Sequence, residues 1–264
     1  MSKLRRDSVE TPDLSILGPI RQIIRMVEEG NRTKDQLQAF VEGRNPFENR
    51  RTLSITDAMA ILGSKKVITA VQAHQTFRIT LSLPHNPVWT RYTEQTLREC
   101  AVLNKSGQSD WRLVYGLPLS LREQRKIIGT DTNIKPCFYS NDWWMDEKED
   151  TWAKSTPTAG YYLIDFKGRF NNNTWLGQEN QIAQLGDAFE RTDERVFTQA
   201  LIALNKILDP RLYAETNHWG RIEDSVGHRI TVGNVYPGCF GFFSEPVLNY
   251  TDRMFVCVSR KFDF

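Results

Sequence analysis

The sequence predicts an α+β fold whose C-terminal half closes on itself. Three observations carry this. Residues 161–166, Tyr-Tyr-Leu-Ile-Asp-Phe, form an apolar run of strand length. Two consecutive amphipathic helices follow it. Only short strands then remain, ending with the apolar run at 255–260. A domain whose first and last strands are both strongly apolar can pair them. The stretch before the last strand is rich in Gly, Asn, Tyr, Phe and Ser, which suits an irregular, contact-making segment.

The elements follow in order. Residues 1–12 are polar. A helix begins at Asp13, with Leu14, Leu17, Ile20, Ile24 and Val27 at helical spacing, and stops at Gly30. Thr33 caps a second helix with Leu37, Phe40 and Val41 inward, and Asn45-Pro46-Phe47 breaks it. Two short helices surround Gly63. They resemble a helix-turn-helix whose second member would offer Lys65, Lys66, Gln72 and His74 to DNA. A plain helical hairpin explains the same pattern and is preferred.

Residues 77–83 alternate and read as a strand ended by Pro84 and Pro87. A helix spans 92–103 with Leu97, Cys100 and Ala101 inward. A strand covers 111–115, and Ser120 caps a helix bearing Leu121, Ile127 and Ile128. Residues 129–160 are irregular and hold Trp143, Trp144 and Trp152, which read as packing residues rather than a sugar-stacking platform. In the C-terminal half, helix one spans 177–189 with Ile182, Leu185 and Phe189 on a stripe. Helix two takes Thr192 or Asp193 as cap and aligns Val196, Phe197, Ala200, Leu201, Leu204 and Ile207 before Pro210. Strands are expected at 218–222, 228–232, 240–243 and 255–260. The expected division is a helical segment 1–75, a mixed α/β region 76–150 and a C-terminal domain 151–264.

Composition narrows the function classes. The 264 residues carry 34 Lys and Arg against 32 Asp and Glu, a net charge of +2. No electrostatic footprint for nucleic acid results. No apolar run follows the basic start, and none is long enough to span a bilayer. A cytoplasmic protein without membrane contact is therefore expected. Cys100, Cys137, Cys239 and Cys257 have no metal-ligand spacing and read as free thiols, with a Cys239–Cys257 bridge as the minor alternative.

One catalytic pattern stands out. Asp165-x-Lys167 at the end of an apolar strand resembles the core of restriction-nuclease-like enzymes, in which a carboxylate holds a metal and a lysine polarises water. Gln178 and Gln181 on the next helix suit that reading, which also requires an upstream acid such as Asp146 or Asp150. The preferred alternative is a solvated surface pair, since residues at i and i+2 share a face. Removal of Asp165 would then change stability by less than about 1 kcal/mol. The carboxylates Glu179, Asp187, Glu190, Asp193 and Glu194 fit ordinary helix ends and outer faces. His218 and His228 are too isolated to suggest a metal. No catalytic residue, metal ligand or cofactor is expected.

Several segments carry a family resemblance over residues 75–264. They are Leu97-Arg98-Glu99-Cys100, Asn141-Asp142-Trp143-Trp144, the run 160–170, His218-Trp219-Gly220, Arg229-Ile230-Thr231-Val232-Gly233 and Val258-Ser259-Arg260-Lys261-Phe262. In these the chain resembles the variable proteins of diversity-generating retroelements from uncultured small-genome bacteria. The resemblance implies a C-type-lectin-like C-terminal domain, related to formylglycine-generating enzymes, that binds ligands without catalysis. It implies that error-prone copying at adenines rewrites the surface between Asn234 and Arg253. The implied ligand-binding positions are Asn234, Tyr236, Cys239, Phe240, Phe242, Phe243, Asn249, Tyr250 and Arg253. The expected partner is a protein, because a wide aromatic surface suits one. Alternation along a strand requires about half of the phenylalanines to face the core. The catalytic cysteine pair of formylglycine-generating enzymes is missing, so no activity is carried over.

Overall fold

A computed structural model describes Arg25 and residues 53–80, 89–140, 143–208, 217–236, 239–245 and 254–263. Apart from Arg25, which is helical, the helices expected before residue 50 lie outside the described residues, as do Asn249, Tyr250 and Arg253.

Local signals set the element ends. Ser54 and Asp57 form a capping box at the start of α1 (Ile55–Leu62), and Gly63, at φ 95°, ends it. A 3-10 turn at Ser64–Lys66 leads into the two-residue strand β1 (Val67–Ile68), and Thr69 caps α2 (Ala70–Thr76). The two short helices are therefore joined through a strand. Neither a helix-turn-helix nor a simple hairpin forms.

The strand expected at 77–83 is replaced over its first four residues. Phe77 caps α2 and is buried, Arg78 takes φ 53°, and Ile79 and Thr80 are irregular. Packing Phe77 into the core overrides the local alternation. The chain continues through α3 (Glu94–Lys105), β2 (Trp111–Gly116), α4 (Leu121–Ile128), capped by Ser120 and Glu123, and β3 (Cys137–Phe138). A short α5 (Asp150–Ala153) precedes β4 (Gly160–Asp165) and α6 (Trp175–Gln184). Then come β5 (Phe189–Arg191), α7 (Glu194–Ile207), β6 (Asn217–Glu223), β7 (Arg229–Tyr236), β8 (Cys239–Glu245) and β9 (Val258–Arg260).

Helix α6 is shorter than expected. It stops at Gln184, Gly186 takes φ 105°, and Phe189 opens β5 instead of continuing a helical stripe. Asp193 caps α7, whose residues 196–205 are all buried, polar ones included. The reason is its position. Helix α7 touches β1 and β2 of one sheet and β6 and β7 of the other. Ile207, expected inward, is 37% exposed at the helix end.

The described strands form two sheets, ordered β1-β2-β4-β9-β5 and β3-β8-β7-β6. The opening strand β4 and closing strand β9 pair antiparallel, with Leu163 opposite Arg260 and Ile164 opposite Ser259. The other edge of β4 pairs with β2 over six positions, Trp111–Gly116 against Asp165–Gly160. A buried strand needs hydrogen-bond partners on both edges, and β2 supplies the second. Residues Thr52–Asp263 consequently make one compact unit. The boundaries expected at 75/76 and 150/151 fall inside it.

The tryptophans of the 129–160 stretch are core residues. Trp144 and Trp152 are buried. Trp144 lies 5.0 Å from Phe242 and 6.2 Å from Phe138, and Phe138 stacks on Phe242 at 5.8 Å. Trp143 donates its indole N–H to the Phe242 carbonyl at 3.0 Å. This cluster seats the irregular stretch beneath β8.

Candidate ligand-binding surface

The pairing of β7 and β8 decides which of the expected contact residues reach solvent. Val232 stands opposite Phe242, Asn234 opposite Phe240, and Thr231 opposite Phe243. Directly opposed residues share a face of the sheet. His218, paired with Val232, lies 4.6 Å from Phe197 of α7, so this face looks into the core. Phe240 and Phe242 are buried on it. Phe243 points the other way and is 38% exposed.

Cys239 is buried too, in register with Cys137 of β3. Cys239, Phe240 and Phe242 are therefore scaffold rather than contact residues, a correction to the site expected from sequence. The alternative bridge between Cys239 and Cys257 is also corrected, because Cys137 is the neighbour of Cys239 and all four thiols are free. Asn234 and Tyr236 lie on β7, with Tyr236 opposite Cys239 after a register shift. Tyr139, directly after β3, is 37% exposed, and its amide donates to the Phe240 carbonyl at 2.7 Å. Tyr139 was not among the residues singled out from sequence. Only the pairing of β3 with β8 brings it beside the ribbon.

Asp165 and Lys167 are neither a surface pair nor an open metal site. Asp165 is fully buried. Its Oδ1 accepts from the Asp110 amide at 2.7 Å and the Lys167 amide at 3.0 Å. Its Oδ2 accepts from Arg169 Nε at 2.9 Å and Nη2 at 2.6 Å. Four donors saturate the carboxylate. Lys167 Nζ donates to the Gly107 carbonyl. Asp110 faces Lys66 and Arg112, so the clasp is compensated in charge. The surface-pair reading fails because β4 is buried on both faces at this end, and parity along the strand cannot reveal that.

A cleft of ≈ 400 Å³ opens between α6, β5 and the β6–β7 pair, and sequence reasoning did not find it. Trp175 lies beneath two guanidinium groups, with Arg229 at 4.1 Å and Arg191 at 4.7 Å from its ring centre. Arg191 is buried and bonds Glu179 at 2.6 Å and the Gln178 side chain at 2.9 Å. Arg221 meets Glu190 at 3.0 Å. Glu179 of α6 and Glu190 of β5 thus serve ion pairs. Glu194 is buried beneath β6, where a Cβ on Gly220 would come within 2.5 Å of its carboxyl carbon. These residues lie far apart in sequence, and no local spacing marks them.

His218 is a core histidine. Its Nδ1 accepts the Cys257 amide at 3.0 Å, and its Nε2 faces the Thr192 carbonyl at 2.9 Å. A carbonyl can only accept, so Nε2 carries the proton. Burial pushes the imidazole pKa down to about 3. The folded protein therefore refuses a proton that the unfolded chain takes up below about pH 6.5. This contribution is fully present above pH 6.5 and is lost as pH falls towards 3. The cost at pH 5 is about 2 kcal/mol. Urea titrations from pH 7 to 4.5 should show this slope in the native chain and a flatter one in His218→Asn. Equal slopes would show that another group governs acid stability. His228 bonds the Ser244 hydroxyl at 3.0 Å near Asp224. Among the described residues no three His, Cys, Asp or Glu side chains converge as a metal site. No helix among them is long and apolar enough to cross a membrane. Comparison of the chain with protein-family models, curated proteins and solved structures gives no match.

Proposed function

We propose that this chain is a non-enzymatic ligand-binding protein that presents a replaceable recognition surface on a C-type-lectin-like scaffold, as the variable proteins of diversity-generating retroelements do. The observation that carries the proposal is the split along β8: Phe240 and Phe242 are buried while Phe243 is exposed. Such a ribbon keeps its core residues fixed while its outer positions change. The order of elements supports the scaffold. The strand β4, helices α6 and α7, the β6–β8 ribbons and the closing strand β9 follow one another, and β9 returns to pair with β4. Two features extend that order: β5 between the helices, and β1 with β2 beside β4.

The recognition positions we propose are Phe243, which is exposed, and, from the sequence alone, Tyr236, Asn249, Tyr250 and Arg253. The partner is a protein, because exposed aromatics such as Phe243 and the nearby Tyr139 bury area against another broad surface. The saturated carboxylate of Asp165 argues against the nuclease alternative.

Sequencing the DNA around the gene tests the reading. The expected result is a near-copy of the last coding stretch, differing mainly at adenines, beside a reverse transcriptase gene. A neighbourhood lacking both would remove the diversification claim.

A further inference from the structure

Cys137 and Cys239 are Cα partners in the parallel pairing of β3 with β8. Neighbouring strands lie about 4.8 Å apart, inside the Cα separation of roughly 4.4–6.8 Å that a disulfide spans. Residues in register point to the same side of the sheet, so the two Cβ atoms are directed alike. Cys239 lies close enough to Cys137 to push its thiol pKa up. Both residues are buried, and both are free thiols. Among the described pairings no other two cysteines stand in register.

The place in the fold gives the pair a route to reagents. Strand β3 is an edge of its sheet and has only two residues. Its flanking bonds are the Phe138 amide to Gly129 and the Tyr139 amide to Phe240. So short an edge strand opens locally at far lower cost than the central strands. Cys100 on α3 and Cys257 beside His218 have no such route.

We propose that Cys137 and Cys239 form a redox-active dithiol that low-molecular-weight disulfides oxidise to an intramolecular disulfide, tethering β3 to β8. One cysteine thiolate attacks the reagent disulfide, forming a mixed disulfide and releasing one reagent thiol. The second cysteine thiolate then attacks the protein sulfur of that mixed disulfide and releases the second reagent thiol. Two S–H bonds and the reagent S–S bond are replaced by one protein S–S bond and two reagent S–H bonds. The protein loses two electrons and the reagent gains them. Burial, then the neighbouring Cys239, raises the Cys137 thiol to about 12. Oxidation is therefore slow at neutral pH and accelerates with alkalinity.

The product is a clamp closed over a long stretch of chain, which favours the folded state. It fixes the strand next to exposed Tyr139 and the start of β8. The inference does not depend on the ligand-binding reading. A core dithiol would oxidise whether or not the outer face binds a partner.

The full-length native chain, incubated with oxidised glutathione at pH 7 and pH 9, provides the test. Samples are quenched by alkylation in denaturant and mapped by peptide mass spectrometry. The expected result is a linked Cys137–Cys239 peptide that forms faster at pH 9 and disappears with dithiothreitol. Cys100 and Cys257 should be recovered alkylated, and the oxidised chain should melt at a higher temperature than the reduced one. A different cysteine pair, stable glutathione adducts without a cross-link, or four alkylated thiols after exposure at pH 9 would each overturn the proposal.

Discussion

Asp165→Ala is expected to destabilise the fold by about 3 kcal/mol, at the lower end of the range for breaking a buried ion pair. The carboxylate is 0% exposed and holds four donors together: two amides and both ends of the Arg169 guanidinium. Its removal leaves the Asp110 amide and a charged guanidinium without their acceptor. The lower end applies because the Arg169 side chain is 27% exposed and regains some water. The clasp also ties the end of β4 to the residue before β2, so the loss falls on the central pairing of the five-stranded sheet. Urea unfolding of Asp165→Ala, Arg169→Ala and the double variant should show strong coupling between the two sites. A loss below about 1 kcal/mol, the surface-pair value, would mean that the carboxylate is solvated.

Phe242→Ala is expected to cost about 3–5 kcal/mol, the usual range for an aromatic removed from a packed core. The ring meets Phe138 at 5.8 Å and Trp144 at 5.0 Å, and Trp144 in turn meets Trp152 at 6.2 Å. Its loss opens a cavity at the junction of β3, β8 and the irregular stretch. That junction cannot collapse easily, because the Trp143 indole is fixed to the Phe242 carbonyl. Urea unfolding with an intact m-value would register the change as a stability loss. A loss within about 0.5 kcal/mol would place Phe242 on the surface instead.

Elements with strong local signals were legible in the sequence. The expected caps Ser120 and Asp193 each start the helix they precede. The spacing from Val196 to Leu204 marks the buried face of α7, and the apolar ends of the C-terminal half do pair. What stayed hidden depends on partners distant in sequence. The joining of β1 and β2 to β4 within one compact unit leaves no trace in local spacing. Strand β3 has only two residues, too few for any period to show. Parity gave Asp165 and Lys167 one face but could not tell that Asp165 is buried while Lys167 stays exposed. On β8, alternation indicated that some phenylalanines turn inward, and the inner members became known only through their register with β7. The cleft around Trp175 draws on four elements and has no signature in any of them.

The central claim is that fixed scaffold and replaceable surface alternate within residues 234–253. A library randomised one position at a time across that range, selected for protease resistance and screened against protein ligands, tests it most directly. Phe240 and Phe242 are predicted to tolerate almost nothing, because a lost buried aromatic consumes about 3–5 kcal/mol of a stability of roughly 5–15 kcal/mol. Buried Cys239 is predicted to reject larger side chains that overpack the core. Phe243, Tyr236, Asn249, Tyr250 and Arg253 are predicted to accept most residues within about 0.5 kcal/mol while changing which ligand binds. Equal intolerance at Phe242 and Phe243, or tolerance at Phe243 and 249–253 with no effect on any ligand, would contradict the account.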